Sequence, residues 1–139
     1  MPVHPAIIPC LHYKDAPRAI DFLCNAFGFE RHAVHANADD PSKIDHAQLV
    51  RNGQMIMLST AQASEYADAA SMVSVEQAGG NTQAPYVTID DVDAHAERAR
   101  AAGAGIIMEP KDEDYGGRGY AARDTEGNVW SFCSYDPFA

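Results

Sequence analysis

The stretch Ala84–Pro110, APYVTIDDVDAHAERARAAGAGIIMEP, decides the fold. APYVTID (Ala84–Asp90) is an apolar, β-branched run that reads as a strand leading into Asp91. A helix follows, with Val92, Ala96 and Ala99 on one face, and Gly103 ends it. GIIMEP (Gly105–Pro110) is a second strand. Downstream, KDEDYGGRG (Lys111–Gly119) is a polar, Gly-rich turn before the strand YAARD (Tyr120–Asp124). A Thr-Glu-Gly-Asn turn then leads to the strand VWSFCSY (Val129–Tyr135). The order is β-α-β-β-β.

The upstream half repeats this plan. AIIPCLHY (Ala6–Tyr13) reads as a strand, Asp15 as an N-cap, and Pro17 sits in the first helical turn, where its missing N–H does no harm. Ala16, Ile20, Leu23 and Phe27 form an amphipathic stripe, and Gly28 closes the helix. The strands FERHAVHAN (Phe29–Asn37) and KIDHAQLV (Lys43–Val50) flank an Asp-Asp-Pro-Ser turn. Asn52-Gly53, a strong hairpin signal, leads into QMIMLS (Gln54–Ser59). Asp15 superposes on Asp91 at an offset of 76 residues, which also brings Gly28 within one residue of Gly103. A repeat of that period is a statement about the whole fold. Residues 1–139 are read as a single α+β domain, with module one at about 5–60 and module two at about 83–136. Residues 61–82, rich in Ala, Ser, Gln and Gly, are read as a linker with one short helical turn.

Composition narrows the function classes. Twenty acidic against 10 basic residues give a formal charge of -10, which argues against a nucleic-acid partner, because phosphate backbones need a basic face. No apolar run approaches the length needed to span a bilayer, so a membrane role is not expected. The start, Met-Pro-Val-His-Pro, lacks the basic and apolar regions of a signal peptide, which points to the cytoplasm. Cys10, Cys24 and Cys133 form neither a disulfide framework nor a CxxC metal knuckle, and read as reduced and mostly buried.

The segments DAPRAIDFLCNAFGFE, NGQMIMLS, YVTIDDVDAHAERARAAGA and GGRGYAARDTEGNVWSF resemble the vicinal-oxygen-chelate superfamily of glyoxalase I, bleomycin-resistance proteins and extradiol dioxygenases. The most specific part is Arg-Asp-x-x-Gly-Asn-x-Trp-x-Phe at Arg123–Phe132. The resemblance implies a curved eight-stranded sheet made of two modules, with helices on its convex side and a small-molecule cup on its concave side. It also implies a homodimer, with modules pairing within a chain or by exchange between chains. Metal enzymes of this group draw a His, Gln or Glu ligand from the first and last strand of each module. Those positions fall here on Ile8, Met57, Ala84 and Ser131. Three of the four have no side chain suited to a divalent cation, and a lone serine hydroxyl is a poor ligand, so neither a metal nor another cofactor is expected.

Strand alternation turns Ile8, Cys10 and His12 toward the cup, together with Met55, Met57 and Ser59, and Ile44, His46 and Gln48 share a face. Met55 and Met57 offer an adaptable apolar lining. Tyr86 and Tyr120 could form an aromatic wall, Ser131 could serve as a polar anchor, and Arg118 could reach over the rim to a carboxylate. The candidate ligand-binding set is therefore His12, His46, Met55, Met57, Tyr86, Arg118, Tyr120 and Ser131. His4, His32, His35 and His95 read as solvent-exposed, and Trp130 and Phe132 should pack under the helices. Gly116-Gly117-Arg118-Gly119 fits neither phosphate-binding spacing. The expected function is a metal-independent binder of a small organic molecule. Two alternatives stay open. One is a lyase, isomerase or dioxygenase-type enzyme, its metal-free form using His46 or Tyr86 as proton carriers; the other is a dimeric interaction protein with a self-filled cup.

Overall fold

A computed structural model describes residues 2–61 and 64–139. Residues 62 and 63 of the linker, and Met1 of the N-terminal pentapeptide, lie outside the described residues. Module one contains β1 (Cys10–Tyr13), α1 (Ala16–Phe27), β2 (Glu30–Ala36), β3 (Ile44–Arg51) and β4 (Gln54–Thr60). The connection carries two short helices, α2 (Glu65–Ala70) and α3 (Val75–Ala78), rather than the single turn read from the sequence. Module two contains β5 (Tyr86–Thr88), α4 (Val92–Ala101), β6 (Gly105–Asp112), β7 (Arg118–Arg123) and β8 (Val129–Cys133).

The eight strands are divided between two four-stranded sheets of identical order, β1-β4-β3-β2 and β5-β8-β7-β6. In each, the first strand runs parallel to the last and the remaining pairs are antiparallel. Met57 N donates to Pro9 O at 2.9 Å, and Ser131 N donates to Pro85 O at 3.0 Å, the same bond in each half. The two prolines are separated by the repeat offset read from the sequence.

Local chemistry fixes the helices. Asp15 Oδ1 accepts from Arg18 N at 3.2 Å, and Asp91 Oδ1 accepts from Ala94 N at 3.0 Å, so an aspartate caps each module's main helix. Gly28 ends α1 at φ 85°, a backbone conformation a side chain would strain. Asn52 and Gly53, at φ 47° and 75°, form the two-residue hairpin between β3 and β4.

One face of each sheet joins α1 and α4 in a shared core. Phe27 stands at its centre, against Phe22, His95, Trp130 and Phe132. Polar clamps tie the modules together. Tyr13 OH and Trp130 Nε1 both donate to Asp124 Oδ2, at 2.6 and 3.1 Å. Asp124 Oδ1 accepts the backbone N–H groups of Glu126 and Asn128, each at 3.0 Å, which shapes the turn between β7 and β8. Glu126 accepts from Lys14 N and Asp15 N at 2.7 and 2.9 Å. Carbonyl groups at the end of α1 have no partner within the helix. Arg98 donates to Asn25 O and Cys24 O, and His95 Nε2 donates to Phe27 O.

His95 therefore departs from the sequence reading, which placed it in solvent. It is buried, and since its Nε2 carries the proton, its Nδ1 accepts from Tyr120 OH at 2.5 Å. Burial holds its pKa below the ordinary 6.5. A depressed folded pKa means that the unfolded chain binds the proton more readily. The stabilisation is present above pH 6.5 and is lost as pH falls below it. Urea midpoints should therefore drop between pH 7 and about pH 5, less steeply in a His95→Gln variant. Equal slopes would show that His95 is not the titrating group.

Candidate functional site

The sheet faces turned away from the helices carry six of the eight candidate residues: His12, His46, Met55, Met57, Tyr86 and Ser131. On the first sheet, Ile56, Leu58 and Thr60 of β4 are buried, whereas Met55, Met57 and Ser59 are half-buried on the open face, as alternation requires. His12 pairs with Ser59, and His35 with His46, across their ladders. His12 Nδ1 and Ser59 Oγ share a hydrogen bond of 3.2 Å, and Gln48 Nε2 donates to His46 Nε2 at 3.1 Å. The His35 and His46 rings lie near-parallel, with centroids 6.3 Å apart. Burial lowers the His12 pKa, so its imidazole is neutral at neutral pH. On the second sheet, Tyr86 and Ser131 are cross-strand partners on the open face, and Tyr86 OH donates to Tyr135 O at 3.1 Å.

Four sequence readings are corrected. Tyr120 is in the core, not in a cup wall. It pairs with Phe132 across β7 and β8, which turns it to the helix side, away from Tyr86. Arg118 has the same phase and makes two bonds to Asp93 at the start of α4, at 3.0 and 3.1 Å, and one to Asp112. It does not reach over a cup rim. Ile44 is buried, because a register shift between His35↔His46 and Ala36↔Ile44 inserts one extra residue, Asp45, into β3 and flips the strand's phase. Cys10 is exposed and Cys24 half-buried, leaving Cys133 as the one buried thiol.

Beside β1, the connection between the modules borders two adjoining open clefts of about 230 and 510 Å³. His12, Met72, Val73 and Ser74 line both. The larger runs along Pro9–His12 and under residues 80–85 to Asn128. Of the eight candidates, His12 alone is among the residues lining these two clefts; Met57 and Ser131 sit opposite Cys10 and Tyr86 in the two parallel ladders, and His46 lies two strands from β1, so the structure does not bring the set together there.

The connection supplies a wall that the linker reading missed. Ser74 and Gln77 form a reciprocal capping box at α3, and Ser-x-x-Gln was the available signal. Asn81 pins the far end, donating to Gly127 O at 3.0 Å and accepting from Val129 N at 3.1 Å.

Residues 4–132 match the Glyoxalase/Bleomycin resistance protein/Dioxygenase superfamily, and the chain belongs to that family. It is 32% identical to TioX from Micromonospora sp. ML1, with TM-score 0.70, covering 93% of this chain and 94% of that one. An uncharacterized protein of Mycobacterium bovis, Mb0911c, is 33% identical over 129 residues, 93% of this chain and 82% of its own length. The fosfomycin resistance protein FosX of Listeria monocytogenes shares the fold, with TM-score 0.71 at 15% identity, covering 98% of this chain and 97% of that one.

The residues do not fit the metal that enzymes of this group use. The repeated strand bond pairs Pro9 with Pro85 and Met57 with Ser131, so Ile8 and Ala84 are equivalent neighbours in sequence. That set offers no imidazole and no carboxylate. Among the described residues, no three His, Cys, Asp or Glu side chains cluster to hold an ion. No helix among them is long and apolar enough to cross a membrane.

Proposed function

We propose that this protein is a cytoplasmic, metal-independent binder that sequesters or carries a small organic molecule, as the bleomycin-resistance branch of its family suggests. The observation that carries this reading is the cavity of about 510 Å³ along β1, within the size range of small-molecule sites. Its walls combine apolar side chains such as Met72 and Val73 with the neutral imidazole of His12. The working form is a homodimer, in keeping with its family and with the exposed Tyr86, Ile107 and Met108 of module two.

Ligand-observed NMR against a library of drug-sized aromatic compounds tests the proposal. Bound compounds should remain chemically unchanged, and His12→Ala should weaken them about tenfold or more. A library without a single binder would contradict the reading.

A second reading, a metal-free lyase or isomerase, is favoured by the His12–Ser59 pair. A neutral imidazole at a cavity wall can accept a proton from a bound carbon acid or hydroxyl. The His46 and Tyr86 roles anticipated from the sequence pass to His12 in this reading, because it borders the cavity. Steady disappearance of a bound compound in the same spectra, abolished by His12→Ala, would select the enzyme over the binder.

A further inference from the structure

We infer that the groove along β1 is built for an electrically neutral molecule with an apolar body and amide-type hydrogen-bonding groups, and that it rejects anions. This rests on the reading of the groove as a ligand site. None of the residues that line the larger cavity is Asp, Glu, Lys or Arg. An anion docked there gives up part of its hydration shell with no counter-charge to replace it, and a charge that loses water without a partner is disfavoured. Asp68 on the wall of the adjoining cavity, and the chain's formal charge of -10, add repulsion.

The groove is nevertheless able to satisfy uncharged polar atoms. Pro9 O and Tyr13 O accept from Met57 N and Ala61 N, so alternate residues of β1 face β4. The peptide groups of Cys10 and His12 therefore point away from the sheet, and among the described residues the N–H and C=O of each have no backbone partner. Above this edge, Met72 and Val73 are 39% and 57% exposed, apolar surface that a ligand body would cover.

Two dyes sharing one skeleton test the charge rule: N-phenyl-1-naphthylamine, which is neutral, and its sulfonate, 8-anilinonaphthalene-1-sulfonate. Fluorescence titration gives each Kd, and mass spectrometry of Cys10 alkylation by iodoacetamide places the dye, because Cys10 is exposed on the groove wall. The neutral dye should bind about tenfold or more tightly than the sulfonate and slow Cys10 alkylation. Val73→Lys, at an exposed site, supplies the missing counter-charge and should narrow that gap to about threefold or less. Equal or tighter binding of the sulfonate to the unmodified protein, with Cys10 protected, overturns the charge rule and leaves the ligand site standing. A gap unmoved by Val73→Lys also overturns it. If neither dye protects Cys10 at saturation, the groove is not the ligand site and the reading beneath this inference falls with it.

Discussion

Replacing Asp124 by alanine is expected to destabilise the fold by about 3–5 kcal/mol, because two buried donors lose their acceptor together. Tyr13 OH belongs to module one and Trp130 Nε1 to module two, and both end on Asp124 Oδ2. Neither finds water, since both residues are fully buried. The other carboxylate oxygen holds the Glu126 and Asn128 N–H groups of the turn, and Glu126 in turn caps the Lys14 and Asp15 amides. The loss therefore spreads into the start of α1. An asparagine keeps one acceptor oxygen and should lose about half as much. Urea unfolding followed by tryptophan fluorescence measures both, and a cost below about 1 kcal/mol for the alanine variant would remove Asp124 from its central position.

Phe27→Ala should cost a similar amount, about 3–5 kcal/mol. Its ring is fully buried, and its removal leaves a cavity bounded by rings of both modules, including Trp130 at 5.6 Å and Phe132 at 4.7 Å between centroids. Rigid aromatic walls collapse poorly into such a space. The two sites act differently on the fold, one through polar satisfaction and one through packing. Phe27→Leu, which refills much of the volume, should recover more than half of the loss, whereas Asp124→Leu should recover none. Recovery at both positions would mean that the junction is held by volume alone.

The repeat and the face assignments were legible because they depend on local periods. Alternation alone placed Met55, Met57 and Ser59 on the open face, and the helical stripe placed Ile20, Leu23 and Phe27 in the core. The misplaced residues depend on tertiary partners and on strand register, which local periods do not carry. Tyr120 and Arg118 take their phase from the ladder that sets Ala121 against Ser131; the Thr-Glu-Gly-Asn turn marks where the strands reverse, but the phase is fixed by the pairing of Tyr120 with Phe132, and the salt bridges of Arg118 reach α4. His95 lies at i+3 from Val92, on the margin of the buried stripe. Its polarity argued for solvent, and only the second module's Tyr120 and the first module's Phe27 carbonyl make its burial affordable. Ile44 was displaced by a bulge, which adds a residue without leaving a compositional mark. The cleft leaves no mark in the sequence because one wall is the connection, whose position depends on the Asn81 bridge to the turn before β8.

Ile8, Met57, Ala84 and Ser131 offer no metal-ligand set, unlike the metal enzymes this chain resembles, and the proposed binding needs no metal. Elemental analysis of the protein, purified without chelators and dialysed against metal-free buffer, tests it most directly. Zn, Ni, Mn and Fe should each lie far below one equivalent per chain, with unchanged thermal stability after added EDTA. One tightly held equivalent per chain, lost together with stability on chelation, would contradict it.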